Sequence, residues 1–295
     1  MVHISVLQKE AIEYLDPKPN ENFIDCTVGY GGHTAAILER TAPKGKVLGI
    51  EADQDFSKIL PILNHQDAER LILVNDNFAN LKEIVAKEKF KKISGVLLDV
   101  GMSSWHLEHS GRGFSFQRNE PLDMRYDLKN PLTAKKILNF WSENEIKNIL
   151  QEYGQENFAE NISREIIRER KYREIVTAHQ LAEVIRRAVP ARYRQAKINP
   201  ATRTFQALRI AVNDELNNLK KVLPAALEVL EPAGRLVVIS FHSLEDKIVK
   251  DFFKQEAKTN SIQIITKKPI TPTFGEIKNN LRSRSAKLRA SIKKS

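Results

Sequence analysis

The chain has 295 residues, 41% of them hydrophobic and 28% charged, with a formal net charge of +10. That length and apolar content suffice for a buried core in one large or two modest domains, so a soluble globular protein is the default. No run of about 18 apolar residues occurs, and Met1 to Glu10 lack a charged head followed by an apolar stretch. A membrane span and a signal peptide are thereby excluded, and the cytoplasm is the expected location. The single cysteine, Cys26, rules out an internal disulfide framework and reads as a small buried filler.

Over the first hundred residues, apolar β-branched runs alternate with helical patterns. The runs Asn22 to Val28, Lys46 to Glu51, Arg70 to Asn75 and Ile93 to Val100 read as strands. Such alternation predicts βαβ units on a parallel sheet. Residues 132 to 190 are helix-rich and charged and carry no strong strand. A long helix from about Thr204 to Leu230 follows, then a break at Pro232 and Gly234, then the strand Arg235 to Ser240. The expected architecture is a doubly wound α/β sheet domain made from residues 1–107 and 200–295. A helical domain at 108–199 interrupts it.

The first predicted strand runs through Asp25 into the turn Cys26-Thr27-Val28-Gly29-Tyr30-Gly31-Gly32-His33. Glycines there permit positive φ and a close backbone approach to a ligand, and the next helix offers free N–H groups, so a nucleotide-like cofactor is expected. A P-loop fails on spacing, because Gly32 is followed by His33-Thr34 and not by Lys-Ser/Thr. A nicotinamide fingerprint is weakened by Thr34 in place of a third small residue, but it stays open. S-adenosylmethionine proteins on such sheets use an acid at the end of the first strand, near the methionine amino group, and another after the second strand, for the ribose hydroxyls. Asp25 and Glu51 occupy those places. Phe78, after the third strand, is placed to cover an adenine face, with core packing as the more usual alternative, and Asp99 ends the fourth strand at the ligand-binding edge.

The positive charge is concentrated. No acid follows Glu276, and residues 161–197 hold ten Lys/Arg against four Asp/Glu. Two separated basic regions suit a phosphate backbone.

Several ordered motifs span nearly the whole chain. They are His3-Ile4-Ser5-Val6-Leu7, Gly31-Gly32-His33, Leu98-Asp99-Val100-Gly101-Met102-Ser103-Ser104, Arg112-Gly113-Phe114-Ser115-Phe116 and Leu122-Asp123-Met124-Arg125. Phe205-Gln206-Ala207-Leu208-Arg209-Ile210, Ile239 to Asp246 and Arg282 to Arg289 complete the set. Through them the chain closely resembles the bacterial 16S rRNA cytosine-N4 methyltransferases, the RsmH (formerly MraW) family. The resemblance implies a Rossmann-like methyltransferase sheet, S-adenosylmethionine as donor, and a cytosine in the decoding region of the small ribosomal subunit as acceptor. It also implies that the inserted domain recognises RNA. The family's cofactor contacts carry over to Gly31, Gly32, His33, Glu51, Phe78, Asp99 and His106. Glu51 stands where the family commonly has Asp, and Trp105-His106 replaces a frequent Pro-Gln pair.

Transfer from a sulfonium to an exocyclic amine is an in-line displacement in which positioning dominates. Asp99, the carbonyls near Val100 and Gly101, and Ser103 or Ser104 are placed to accept the amine protons; a tight turn explains the serines equally well. The cytosine must be unpaired or flipped, and Trp105, Phe114 and Phe116 are candidate platforms or lid residues, with core filling as the alternative. Asp123 and Arg125 are expected to order that loop, and Arg203, Arg209 and the terminal arginines to meet phosphates. His242, Glu245 and Asp246 suggest a metal, but a helix start with Ser243 as N-cap explains them more simply. No metal is expected, and His242 is left as a substrate-facing candidate. Two rival functions stay open, a NAD-dependent oxidoreductase and a catalytically silent RNA-binding assembly protein; monomer and homodimer also stay open.

Overall fold

The computed structural model describes residues 5–55, 67, 69–194 and 199–294, so His3 and Ile4 of the first motif lie outside the described residues. The chain divides into two compact units, Met1–Gly101 with Leu216–Ser295, and Met102–Glu215. None of the helices described is long and apolar enough to cross a membrane.

The first unit is built on seven described strands: β1 (Asn22–Asp25), β2 (Val47–Glu51), β3 (Leu71–Asn75), β4 (Ile93–Asp99), β5 (Leu230–Ser240), β6 (Ile262–Ile264) and β7 (Lys287–Lys293). Their order is β3-β2-β1-β4-β5-β7-β6. The first five are parallel, and β7 runs antiparallel to both its neighbours. Alternation along the central strands sends side chains to two separate cores. Val96, Leu98, Leu236 and Val238 pack with α3 (Leu81–Lys87), α11 (Glu215–Val229) and α12 (Ser243–Lys258). Leu97, Val237 and Ile239 pack with α1 (Gln8–Leu15) and α2 (Gly32–Thr41) on the other face. The expected doubly wound sheet is therefore present. Strand order reverses between β1 and β4, where open α/β sheets leave a crevice at the carboxyl ends.

The second unit is helical: α4 (Ser104–Glu108), α5 (Ala134–Phe140), α6 (Glu143–Glu152), α7 (Ala159–Arg170), α8 (Ala178–Ala188), α9 (Ala191–Arg194) and α10 (Ala201–Asn213). Ser142 with Glu145 and Thr177 with Gln180 form capping boxes that start α6 and α8. Apolar stripes including Ile137, Ile146, Ile162, Leu181 and Phe205 meet in a core of its own.

Four sequence expectations are corrected. The single helix expected over Thr204–Leu230 is two, broken at Asp214, whose φ of 50° is left-handed. α10 packs on α5, α6 and α8, so the inserted unit extends to 215 and begins at 102, beyond the expected 108–199. The break at Pro232 and Gly234 is a register irregularity inside β5, which pairs Ile93 with Leu230 and then Gly95 with Arg235. Of the terminal arginines expected to meet phosphates, Arg289 instead lies in β7 inside the sheet, buried against Asp246 at 2.7 Å, whereas Arg282 and Arg284 lie in a 3-10 turn with Arg284 exposed.

The junction of β1 and β4 uses a side chain to finish its ladder. Cys26 N–H donates to the Leu97 carbonyl at 2.9 Å, and then Asp99 N–H donates to the Thr27 hydroxyl at 2.7 Å. This lets the chain leave β1 and enter the glycine turn without stranding the Asp99 donor. Thr27→Val keeps the shape but removes the acceptor, and should cost about 1–3 kcal/mol in urea unfolding, with Thr27→Ser costing less. A Val variant as stable as the parent would show that this bond does not hold the junction.

Candidate cofactor site

The glycine turn lies between β1 and α2. Gly29 and Gly31 adopt φ of +51° and +78°, the conformations the sequence assigned to glycine there. Gly31 is the N-cap of α2 and supplies no side-chain cap, which leaves the first-turn donors for a ligand or water. Cys26 is buried beside the turn, and burial pushes its thiol well up, as fits a filler.

Asp25, Glu51 and Asp99 are the last residues of β1, β2 and β4, so the sheet brings three carboxylates to one edge. Their environments differ. Asp25 is fully buried; its Oδ1 accepts from Thr27 N–H at 3.0 Å and its Oδ2 from the Thr34 hydroxyl at 2.6 Å. Burial raises its pKa, against the opposing effects of His33 and these hydrogen bonds. Its carboxylate is engaged by the turn through both oxygens. Glu51 Oε2 accepts from Gly29 N–H and Oε1 from Asp53 N–H, each at 2.9 Å. Desolvation pushes its carboxyl up to about 7, with the two N–H bonds pulling the other way. Each oxygen of Glu51 retains acceptor capacity beyond these bonds.

His33, the second residue of α2, is buried with neither ring nitrogen hydrogen-bonded by protein. Its Nε2 lies 3.5 Å from Asp99 Oδ2, near enough for attraction but outside hydrogen-bond geometry. Burial disfavours the imidazolium, but Asp99 and Asp25 outweigh it and its pKa is raised overall. A buried polar ring without a hydrogen bond is costly and marks a place where a bound molecule would complete the site. Asp99 Oδ1 accepts from Gly101 N–H at a long 3.4 Å. Gly101 itself admits the Phe241 ring so closely that an added Cβ would lie 2.3 Å from it. Phe78 follows β3 in a short 3-10 turn and is half-buried, packed against the core under α3.

At the end of β5, the N-cap of α12 is His242, one residue before the expected Ser243. Glu245 Oε2 accepts from Phe241 and His242 N–H at 2.7 and 3.1 Å, and His242 Nδ1 accepts from Glu245 N–H at 3.4 Å. Asp246 instead binds Arg289 and Lys287, whose charges hold its pKa low despite burial. These groups start a helix, as the simpler of the two sequence readings expected.

Within the inserted unit, Ser103 caps α4 by accepting from Trp105 N–H at 3.1 Å, which is the turn reading; Ser104 is the first residue of α4. His106 is buried with ring centroids 5.4 Å from Trp105, 5.1 Å from Phe114 and 4.8 Å from Tyr126. Arg112 covers Trp105 at 5.4 Å. The lid reading of Phe114 is corrected: its ring stacks on Tyr126 in the core, because the loop turns its aromatics inward. Phe116 is likewise packed edge-on against buried Phe205 at 5.6 Å. Asp123 and Arg125 form the expected pair, at 2.8 and 2.7 Å; burial alone would raise the Asp123 pKa, but Arg125 lowers it overall. Arg209, its side chain only 14% exposed and engaged by Glu215 through two bonds at 2.8 and 2.9 Å, does not stand ready for phosphate. Arg203 is exposed and donates to the Gln155 carbonyl at 3.2 Å.

Sequence reasoning missed Thr27 and Thr34 as the groups that satisfy Asp25. The signal was Asp25-Cys26-Thr27, an acid two residues before an N–H it can accept from.

The model of the MraW methylase family matches residues 1–294. Curated relatives include the ribosomal RNA small subunit methyltransferase H of Heliobacterium mobile, 46% identical over 99% of this chain and 98% of that protein. Proteins of the same name from Symbiobacterium thermophilum and Desulfotalea psychrophila are 42% and 44% identical; both alignments cover 99% of this chain, and respectively 96% and 98% of those proteins. The chain belongs to the MraW methylase family.

Proposed function

We propose that the protein methylates N4 of a cytosine in the decoding region of 16S rRNA, in the small ribosomal subunit, with S-adenosylmethionine as donor. The observation that carries this reading is the meeting of Glu51, Asp99 and the His33 ring, whose nitrogens have no partner within hydrogen-bond geometry, around the glycine turn. The relatives' shared name, ribosomal RNA small subunit methyltransferase H, supports the acceptor. Neither rival from the sequence, the oxidoreductase or the silent binder, gains support from a methylase family.

When bound, S-adenosylmethionine supplies an electrophilic methyl group on a sulfonium. The chain's own residues position the reactants. Glu51 accepts from the ribose hydroxyls through lone pairs not used by Gly29 and Asp53. His33 and the first-turn N–H groups of α2 meet the polar end of the cofactor. Asp99 accepts an N–H of the cytosine amine, which turns the nitrogen lone pair toward the methyl group, while the nearby His33 ring restrains Oδ2. The amine proton becomes acidic after N–C bond formation, so a strong base is not required. Asp25 acts by holding Thr27 and Thr34, and the inserted unit recognises the RNA.

The direct test is transfer of label from methyl-tritiated S-adenosylmethionine onto small subunits lacking the modification, followed by nucleoside analysis. N4-methylcytosine is expected, and any other product overturns the assignment. Asp99→Ala should reduce transfer at least about 100-fold while the fold survives, because its main-chain N–H holds the junction with β1. Retained activity would remove Asp99 from the site.

Glu51 adds a pH dependence. Its folded pKa of about 7 exceeds the unfolded 4.5, so its contribution to stability is present below about 4.5 and lost as pH rises through 7. The ionised form is the better ribose acceptor. Cofactor affinity measured by calorimetry should therefore rise from pH 6 to pH 8, by at most about tenfold per unit below 7, and Glu51→Gln should flatten the profile. A parent profile without slope would refute the ribose role.

A further inference from the structure

The charge on the inserted unit is layered. Glu165 and Glu169 on α7 each take two arginines: Arg168 and Arg187 bind Glu165, and Arg173 and Arg187 bind Glu169. The carboxylates are sunk, with side chains 12% and 16% exposed, whereas Arg168, Arg173 and Arg187 stand 66%, 57% and 40% exposed. Glu165 and Glu169 thus anchor these three arginines from beneath, and their guanidinium groups stand above the two carboxylates.

Two aromatic rings of the same unit are exposed, Tyr172 at 85%, next in sequence to Arg173, and Phe140 at 73%, at the end of α5. Their segments are stitched together. Arg170 donates to the Leu138 and Trp141 carbonyls at 2.9 and 2.7 Å, and the Asn139 side chain both donates to and accepts from Ile175. The two rings are therefore carried on anchored backbone and not on a loose loop. Lys171, exposed and next to Tyr172, adds a further cation.

We propose that this face of α7 and α8, with the Phe140 and Tyr172 rings, is a docking surface for single-stranded RNA. The arginines and Lys171 neutralise phosphates, and the rings stack on unpaired bases. Exposed planar rings on the same unit as the anchored guanidinium groups fit that occupant by charge and by shape. The proposal rests on the RNA substrate put forward above and names where the inserted unit grips it, away from the reacting base.

The test uses the full chain with two probes, a short unstructured RNA oligonucleotide and small subunits lacking the modification. Phe140→Ala and Tyr172→Ala remove exposed rings and leave the core intact. Each should weaken oligonucleotide binding about tenfold, the size of one base–aromatic stack, and raise the KM for subunits while kcat and S-adenosylmethionine affinity stay unchanged. Lys171→Gln should lower the salt slope of binding by about 0.7, one phosphate on a single strand. Unchanged RNA affinity and slope in all three variants would overturn the proposal. So would a raised subunit KM with unchanged oligonucleotide binding, which would assign the face to a ribosomal protein. If the parent binds RNA through these residues yet yields no N4-methylcytosine, the surface stands and the reaction assignment falls. If the parent makes the product and the variants match it throughout, the reverse holds.

Discussion

The candidate site depends on one buried carboxylate. Asp25 ends β1 inside the protein, where an unpaired charge would be prohibitive. Thr27 N–H and the Thr34 hydroxyl satisfy it, which ties the glycine turn to the first turn of α2. The Thr27 hydroxyl accepts from Asp99 N–H and so extends the same network to the end of β4. Breaking this arrangement would strand the Asp99 donor at the junction of the two strands between which the sheet reverses order. The glycines supply backbone freedom, and this network restricts it to one conformation.

The three strand-end acids divide the work according to solvent access and partners. Asp25 holds the glycine turn through both of its oxygens. Glu51 bridges Gly29 and Asp53 and holds its charge only at a cost, which makes it responsive to a ligand that supplies hydroxyl donors. Its side chain reaches both the glycine turn and its own loop. Asp99 remains half-open beside the His33 ring, so it is the carboxylate left for a reacting group. The pairing of a satisfied acid with two less satisfied ones separates support from chemistry within a single edge.

Most of the sheet was legible in the sequence because buried parallel strands read as short apolar runs and their ends carry the acids. β7 was not. Its Lys-Leu-Arg pattern looks like a basic tail, and only Asp246, 43 residues away in sequence, makes a buried Arg289 tolerable. The break at Asp214 was equally hidden, since helical periodicity continues through it and only a left-handed φ separates α10 from α11. The glycine turn, Glu51 and Asp99 were readable at the site from position alone. For Phe114 the sequence left lid and core open, because a Gly- and Arg-rich loop suggests a lid, and the contacts with Tyr126 and His106 place the ring in the core. The roles of Thr27 and Thr34 required coordinates, because a hydroxyl's partner is set by geometry and not by residue type.

The central claim is that the ends of β1, β2 and β4 form a preorganised S-adenosylmethionine cradle. Calorimetric titration of the ligand-free protein with S-adenosylmethionine and, in parallel, with NAD tests it most directly. The account predicts saturable binding of S-adenosylmethionine that is weakened by His33→Ala, with NAD binding more weakly or not at all. Tighter binding of NAD, or no heat with S-adenosylmethionine, would contradict it.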